Sequence, residues 1–299
     1  MSEKHEKKPD ISICMVSLNC WGVLRPCLDS LLKNESQLSY EVIIVDNGST
    51  DELPDKIEKE YPFVKFIRNN RNVGFTQATN QGINVSTGNA ILWLNTDTIL
   101  QPDSLSLLWQ FLMDHPSAGI VGPKVLNADG SFQPQCKRGL PTPLASLCYF
   151  LKLYRWLPRS KTANQYLLNH LDEDQTHEVD AISGCCLMAR REVWDQIGSL
   201  DENIFAYGED LDWCVRSKKA GWKVFYYPLS QIYHLKGQGG AHAKPYHKAW
   251  GMHHGMWVFY RKHLMHNYSF PITVAVVAGV VTSFVVNCVA ITGRKLLHS

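Results

Sequence analysis

Two acidic segments stand out in this sequence because their residue types and spacing suit chemistry on a charged substrate. Three carboxylates lie within residues 209–212, at the start of a helix-like pattern. The triplet 95–97, Asn-Thr-Asp, directly follows the apolar run 90–94. A carboxylate after a strand can bind a divalent cation that bridges two phosphates. A carboxylate on another element can accept a proton from a hydroxyl. The sequence therefore suggests a metal and diphosphate site at 95–97 and a general base in 209–212. A polar turn that caps the next helix is the alternative for 95–97.

The helix predicted near Gly208 orients its acidic residues by its own periodicity. Its apolar face would be formed by Leu211, Cys214 and Val215. Glu209 and Asp210 then point away from that face, which makes Gly208-Glu209-Asp210 the best base candidate, although acids at a helix start are also routine caps. Asp212 and Arg216 are four residues apart, so we expect them to pair on the helix surface.

The elements that must position these residues alternate between strand and helix patterns along residues 11–125. Short apolar runs predict five strands, at residues 11–16, 41–46, 64–67, 90–94 and 118–121. This alternation is typical of an α/β fold with a Rossmann-like, mostly parallel sheet flanked by helices. Ligands of such sheets bind beyond the carboxyl ends of the strands, where Asp46 and the triplet 95–97 lie.

Two further polar positions have two interpretations each. Ser49 and Glu52 fit a helix-capping box, whereas Asp46 in the same turn could hydrogen-bond to a nucleobase or ribose. Taken alone, the capping interpretation is favoured. His234 follows a strand-like run, and a lone histidine is usually structural. A neutral imidazole near a diphosphate could instead complete a metal shell.

Composition limits the class of protein. The chain has 299 residues, is 45% hydrophobic and carries a formal net charge of +2. It is long enough for a well-buried core, and its charge makes no general case for nucleic-acid binding. Its nine cysteines include no CxxC pair, so we expect reduced, mostly buried thiols. Residues 1–10 are polar and predicted to be disordered, and no signal-peptide pattern is present, which favours the cytosol.

Two apolar stretches outside the alternating pattern suggest contact with a membrane. Residues 271–292 form an uncharged run of about 22 residues, long enough to cross a bilayer as a helix. A buried core helix or strand pair is the alternative. Basic residues flank both ends, so charge assigns no clear orientation. The stretch 140–159 mixes apolar and basic residues and predicts either a packed helix or a membrane-surface contact.

A series of motifs in one order gives the chain a family resemblance. The motifs are Val16-Ser17-Leu18-Asn19, residues 45–51, Asn72-Val73-Gly74-Phe75 with Asn80-Gln81-Gly82, residues 94–98, Ser183-Gly184, residues 208–213 with Arg216, and His234. Over about residues 11–240 this series resembles family 2 glycosyltransferases of the GT-A fold, most closely their rhamnosyltransferase-like branch. Each motif is modest alone, but their shared order is specific.

The resemblance implies a role for each matching residue. Asp210 matches the catalytic base, with Glu209 beside it. Asp97 matches the metal-binding last carboxylate of the DXD motif, and His234 matches the late histidine near the metal and diphosphate. Contacts to the nucleotide-sugar are implied for Ser17, Asn19, Asp46, Asn72, Gly74, Asn80, Asn95 and Thr96. Asn95 stands where the motif has its first Asp.

The expected protein is an inverting glycosyltransferase that depends on Mg2+ or Mn2+. The donor would be a dTDP- or UDP-sugar, with rhamnose or another deoxyhexose expected, and the acceptor a lipid-linked or cell-surface glycan precursor. The catalytic domain is expected at residues 11–265, with a nucleotide-sugar half at 11–125 and an acceptor half at 126–265. A single C-terminal helix at 271–292 would anchor it to the cytoplasmic face of the inner membrane.

Two alternatives follow from the same sequence. A sugar-nucleotide pyrophosphorylase would carry a Gly-rich, basic phosphate loop near the N-terminus, and residues 16–22 contain none. A non-catalytic, membrane-tethered protein that binds nucleotide-sugar or glycan could keep the fold. The presence of Asp97, Asp210 and His234 argues against that loss of activity.

Overall fold

The computed structural model describes residues 8–34, 38–237 and 245–297, and a mixed sheet forms the centre of this part of the chain. Its strands are β1 (Ile11–Ser17), β2 (Tyr40–Asp46), β3 (Lys65–Arg68), β4 (Ala90–Leu94), β5 (Thr98–Leu100), β6 (Ala118–Leu126), β8 (His177–Glu178), β10 (Cys186–Arg190) and β11 (Lys223–His234). A second small sheet pairs β7 (Lys137–Arg138) with β9 (Ala181–Ile182).

Helices flank both sheets. They are α1 (Trp21–Leu32), α2 (Leu53–Glu60), α3 (Phe75–Asn84), α4 (Ser104–Asp114), α5 (Pro143–Phe150), α6 (Leu153–Trp156), α7 (Arg191–Ile197), α8 (Glu209–Lys219), α9 (Pro245–His263) and α10 (Phe270–Leu297). Residues 1–7 of the predicted disordered N-terminus lie outside the described residues. Pro9 and Asp10 are described, and their backbones hydrogen-bond to Asn89 and Ser39.

The strand order confirms the predicted α/β fold and adds antiparallel pairing to it. The order is β3-β2-β1-β4-β10-β6-β11-β5, and β8 pairs with β11. The first four strands are parallel, as expected. The sheet is mixed because β10 lies between β4 and β6 and runs antiparallel to both. The predicted fifth strand therefore does not adjoin the fourth, because a later part of the chain occupies that place.

The apolar runs form strands because their side chains are buried. Every residue of β4 is buried, as its uninterrupted apolar sequence suggests for a central strand. The residues Leu24, Cys27, Leu28, Leu31 and Leu32 have helical spacing, and α1 buries the first four of them but leaves Leu32 exposed. All nine cysteines are free thiols, and eight of them are buried, as expected.

Two local expectations are wrong in detail. Ser49 does not cap α2, whose N-cap residue is Glu52. Its hydroxyl instead donates to Asp46, because the turn folds back onto the end of β2. Asp212 and Arg216 do pair, at 2.9 Å, but Asp212 is fully buried rather than on the helix surface.

The last helix, α10, is long and apolar enough to span a membrane, and its most apolar part contains no buried residue. It contains the predicted run 271–292. Its polar side chains face α9, where Thr273, Ser283 and Thr292 hydrogen-bond to Tyr260, His253 and Tyr246, respectively. Most of its valines are exposed, among them Val274, Val281, Val285, Val286 and Val289. Such exposure does not fit a core helix.

Candidate active site

Two strand ends bring the predicted metal residues together. Asp97 follows β4, and His234 ends β11, which pairs with β5 in a register that places His234 opposite Thr98. The Asp97 Oδ1 and His234 Nε2 atoms are 3.2 Å apart. Gln133 holds the imidazole from its other side, because its Oε1 lies 3.2 Å from the His234 Nδ1, and its amide also donates to the His234 carbonyl at 2.9 Å. The structure thus places side by side two residues that are far apart in the sequence.

The charge on His234 reflects this contact. Burial lowers the pKa of the imidazole, but Cys185 and Asp97 raise it more, so that the pKa lies well above its ordinary value. A carboxylate and an imidazole suit a divalent cation, whose binding would displace the proton. Among the residues that the structure describes, no group of three metal-ligating side chains occurs. The pair therefore fits a cation whose remaining ligands are substrate oxygens or water.

Asp210 lies at the start of α8 in a fixed position. Its Oδ2 accepts hydrogen bonds from the Arg138 Nη2 at 2.6 Å and from the Gly184 N–H at 2.8 Å. Its Oδ1 accepts a bond from the Leu211 N–H at 2.7 Å. An ionised carboxylate has about four acceptor sites. Three are occupied here, which leaves about one for a substrate hydroxyl.

Arg138 is the site residue that sequence reasoning missed. It lies in β7, and its register with Ala181 of β9 brings its guanidinium to Asp210. Burial lowers the pKa of Arg138, but the negative charge of Asp210 raises it by more than burial lowers it. The guanidinium therefore stays charged. No local signal marks this residue, because its partner lies on another element far along the chain.

Glu209 occupies a different environment from its neighbour. It is buried, and its Oε2 has no hydrogen-bond partner among the described residues. Burial, and then the charge of Asp210, raise the pKa of Glu209 to about 8. The two adjacent carboxyls therefore differ in their surroundings, since Asp210 is paired with a guanidinium, whereas burial favours the protonated form of Glu209.

The loop 183–185 connects Asp210 to the turn that carries Asp97. The N–H of Gly184 binds Asp210, and the carbonyl of Cys185 accepts the Asn95 N–H at 2.9 Å. A Cβ at Gly184 would lie 2.9 Å from the Trp93 ring, so the close approach requires glycine. Burial raises the pKa of Tyr207, and the charges of Glu209 and Asp97 raise it further. The acidic segments thus act on one common region.

The predicted nucleotide contacts at the ends of β1 and β2 form a bonded turn. Asp46 is fully buried and accepts bonds from both the N–H and the hydroxyl of Ser49. The Ser17 hydroxyl donates to Asp46 at 3.4 Å, and Asn19 accepts the Thr50 N–H at 2.7 Å. Beside this turn lies an open cleft of about 580 Å³, lined by Asn19, Cys20, Trp21, Gly22, Val23, Asp51 and Glu52. Its size is that of a small-molecule site.

Four other predicted donor contacts make bonds within the protein. Asn72 accepts hydrogen bonds from the Asn47 amide and the Gly74 N–H, both at 2.9 Å. Gly74 is packed so closely that a Cβ would lie 2.8 Å from the Phe205 ring. Thr96 is buried and accepts a bond from Cys20.

Asn80 likewise binds within the protein rather than at an open surface. Its amide bonds to the Leu200 N–H and carbonyl and to Glu202. Asn80 and Gly74 therefore position the segment 200–205 that leads into α8. The donor contact implied for them stays a prediction.

Comparison with known proteins identifies the family of this chain. The chain matches the family model described as glycosyl transferase family 2 over residues 12–198, and that of glycosyl transferase family group 2 over residues 143–294. An N-acetylglucosaminyl-diphospho-decaprenol L-rhamnosyltransferase of Mycobacterium tuberculosis is 30% identical over 224 residues, 70% of this chain and 72% of that protein.

Solved structures share the fold at lower identity. GalNAc-T7 with UDP, GalNAc and Mn2+ has a TM-score of 0.60 at 18% identity, and the match covers 81% of this chain and 46% of that one. The mannosyltransferase PcManGT from Pyrobaculum calidifontis, in complex with GDP-Man and Mn2+, has a TM-score of 0.59 at 16% identity, over 98% and 82%. Both support the GT-A fold.

Proposed function

Because this chain belongs to glycosyltransferase family 2 and is a glycosyltransferase, we propose that it moves a deoxyhexose from a nucleotide-sugar to a hydroxyl of a lipid-linked glycan precursor. The observation that carries the proposal is the loop 183–185, which joins Asp210 to the end of β4 through bonds of 2.8 and 2.9 Å. One short loop thus holds the proposed base close to the proposed diphosphate site. This proximity suits a reaction in which the acceptor oxygen attacks and the diphosphate leaves in a single step. The rhamnosyltransferase relative supports rhamnose as the sugar and a polyprenyl diphosphate acceptor.

The donor would lie beyond the carboxyl ends of β1, β2 and β4. The cleft beside Asn19 would accept the nucleotide, and the turn around Asp46 would shape its wall. Asp97 and His234 would hold Mg2+ or Mn2+, which neutralises charge on the leaving diphosphate when bound. Asn95 would orient the donor from the edge of the same turn.

Asp210 would accept the proton of the acceptor hydroxyl as that oxygen attacks the anomeric carbon. The bond from this carbon to the diphosphate breaks in the same step, so the configuration inverts. Arg138 and the Gly184 N–H would hold the carboxylate in place and aim its remaining acceptor site at the hydroxyl. Glu209 would donate a hydrogen bond rather than accept the proton, since its raised pKa keeps it protonated near neutral pH.

The acceptor would reach the site from a bilayer. The exposed valines of α10 support a C-terminal membrane anchor. We place the catalytic part on the cytoplasmic side, where nucleotide-sugars are made. Anchoring would confine the enzyme to the surface that carries its acceptor and raise their encounter rate.

The proposal is tested by a donor screen with the purified full chain. Nucleoside diphosphate release is measured from dTDP-, UDP- and GDP-sugars with Mg2+ or Mn2+, with and without a polyprenyl-diphosphate-linked acceptor. We expect one donor to give release that the acceptor stimulates. The Asp210→Asn protein serves as control and should bind the donor without transfer. Donor binding without turnover in the parent protein would instead support a binding protein.

A further inference from the structure

The segment that contains α5 and α6 presents large apolar side chains to solvent. Within this α5–α6 lobe, residues 143–161, the exposed side chains are Leu144, Leu147, Phe150, Leu151, Trp156 and Leu157. The exposed fraction of Trp156 reaches 82%. Single exposed apolar residues are common, but six within residues 144–157 are a concentration that marks an interaction surface.

The charges of the lobe have one sign. Lys152, Arg155, Arg159 and Lys161 are exposed, and residues 140–171 contain no Asp or Glu. None of these four cations forms an ion pair with another described residue. Their positive charge is therefore available to an anionic partner.

The combination of these groups identifies the partner as a bilayer. Leucines and a phenylalanine suit the acyl boundary, and a tryptophan suits the headgroup level. Exposed lysines and arginines suit anionic phosphates, and each adds to the attraction. An acidic protein surface would neutralise the cations but would leave the exposed leucines and Trp156 without apolar contacts. The lobe has all three features that an anionic membrane surface requires.

The lobe is joined firmly to the active site. The Asn164 amide donates to the carbonyls of Leu157 and Pro158 at 2.9 and 3.1 Å, which fixes the turn after α6. Lys137 donates to the Leu168 carbonyl at 2.9 Å, so the chain beyond the lobe is bonded to β7. That strand carries Arg138, the partner of Asp210. The position of the lobe therefore determines where the base lies relative to the membrane.

We propose that the α5–α6 lobe is a second membrane-docking surface, which inserts into the headgroup region of an anionic bilayer independently of α10. It holds the acceptor side of the enzyme against the membrane. The delivery of a lipid-linked hydroxyl to Asp210 is the part that rests on the proposed function. The membrane contact itself does not depend on it.

The test places a fluorescent label on the full chain. In a Cys288→Ser background, Leu151→Cys is labelled and the protein is reconstituted in vesicles that contain brominated lipid as a quencher. One set contains phosphatidylglycerol and the other only phosphatidylcholine. Phe63→Cys is the matched control, because Phe63 is 51% exposed and Leu151 58% exposed. Donor turnover without acceptor is followed in parallel and reports on the proposed function alone.

We expect the label at residue 151 to be quenched at least about threefold more strongly in the anionic vesicles than in the neutral ones, because four cations favour the anionic surface. The label at residue 63 should show no such difference. Lys152→Ser with Arg155→Ser, or high salt, should remove the excess quenching. Equal quenching of the two labels would overturn the proposal and indicate a protein partner. Quenching that neither the lipid charge nor the double variant changes would also overturn it.

Discussion

Replacement of Asp210 by Asn should affect catalysis and stability together. Asn keeps the size of the side chain and can accept the Gly184 N–H, but it cannot take a proton. We expect transfer to fall by about 100-fold or more, the usual effect of losing a general base, which equals roughly 2.7 kcal/mol in the barrier. Donor binding should change little, since Asp210 lies on the acceptor side.

Asp210→Asn should also lower the free energy of unfolding, because Arg138 would remain as a buried charge without its carboxylate partner. The side chains of Arg138 and Asp210 are only 12% and 11% exposed, and their atoms are 2.6 Å apart. Loss of one member of a buried pair costs about 3–5 kcal/mol of unfolding free energy. We expect about 3 kcal/mol for Asp210→Asn, because the amide oxygen can keep one bond to Arg138. Against a typical total of about 5–15 kcal/mol, the variant should still fold.

A double-mutant cycle separates the two effects. Arg138→Met removes the buried charge, so Asp210→Asn combined with Arg138→Met should recover most of the lost stability. It should not recover transfer, because no carboxylate base returns. Urea unfolding gives the stability of the four proteins, and transfer to a soluble acceptor analogue gives the rates. Transfer by Asp210→Asn within tenfold of the parent would refute the assignment and move the base to Glu209.

The other predictions concern the second carboxyl, the metal pair and the last helix. Glu209 has a raised pKa, so the folded state holds a proton that the unfolded state releases; unfolding free energy should fall as pH rises from about 4.5 to 8. Glu209→Gln should remove that slope in urea unfolding at several pH values, and an unchanged slope would contradict it. Asp97→Ala should abolish transfer, and EDTA should do the same to the parent protein. His234→Ala should raise the Mn2+ concentration needed for activity. Full transfer in excess EDTA would refute a metal role. A chain that ends at Asn267 should lose tight membrane association yet keep transfer to a soluble acceptor; failure to fold would instead make α10 part of the folded core.

Local pattern predicted the strands that carry the site. The run before Asn95 is uniformly apolar, and the structure buries it as β4 at the centre of the sheet. A strand that ends in polar residues delivers them to the sheet edge, so the location of Asp97 follows from the sequence. The sequence left His234 open between a structural and a metal-binding interpretation, and the family resemblance favoured the second; the structure places it 3.2 Å from Asp97.

Local pattern failed where packing, rather than spacing along the sequence, selects the bonding partner. Ser49 fits a cap in the sequence, but its hydroxyl donates to Asp46, three residues earlier in the same turn. Asp212 fits a surface pair, yet it is fully buried and also bonds to His263 of α9 at 2.6 Å. In both cases the residue types predict a bond correctly, while only the packing selects the partner and the burial.

The sequence alone determined the alternating elements, the acidic segments and the apolar C-terminal run, because each depends on the period of neighbouring residues along the chain. The tertiary structure alone decided that β10 enters the sheet antiparallel, that Arg138 pairs with Asp210, and that the Oε2 of Glu209 is buried with no partner among the described residues. These features join residues far apart in the chain, and their energies arise from burial and charge at close range. Adjacent carboxyls at positions 209 and 210 look equivalent in the sequence, and their surroundings in the fold make them chemically different.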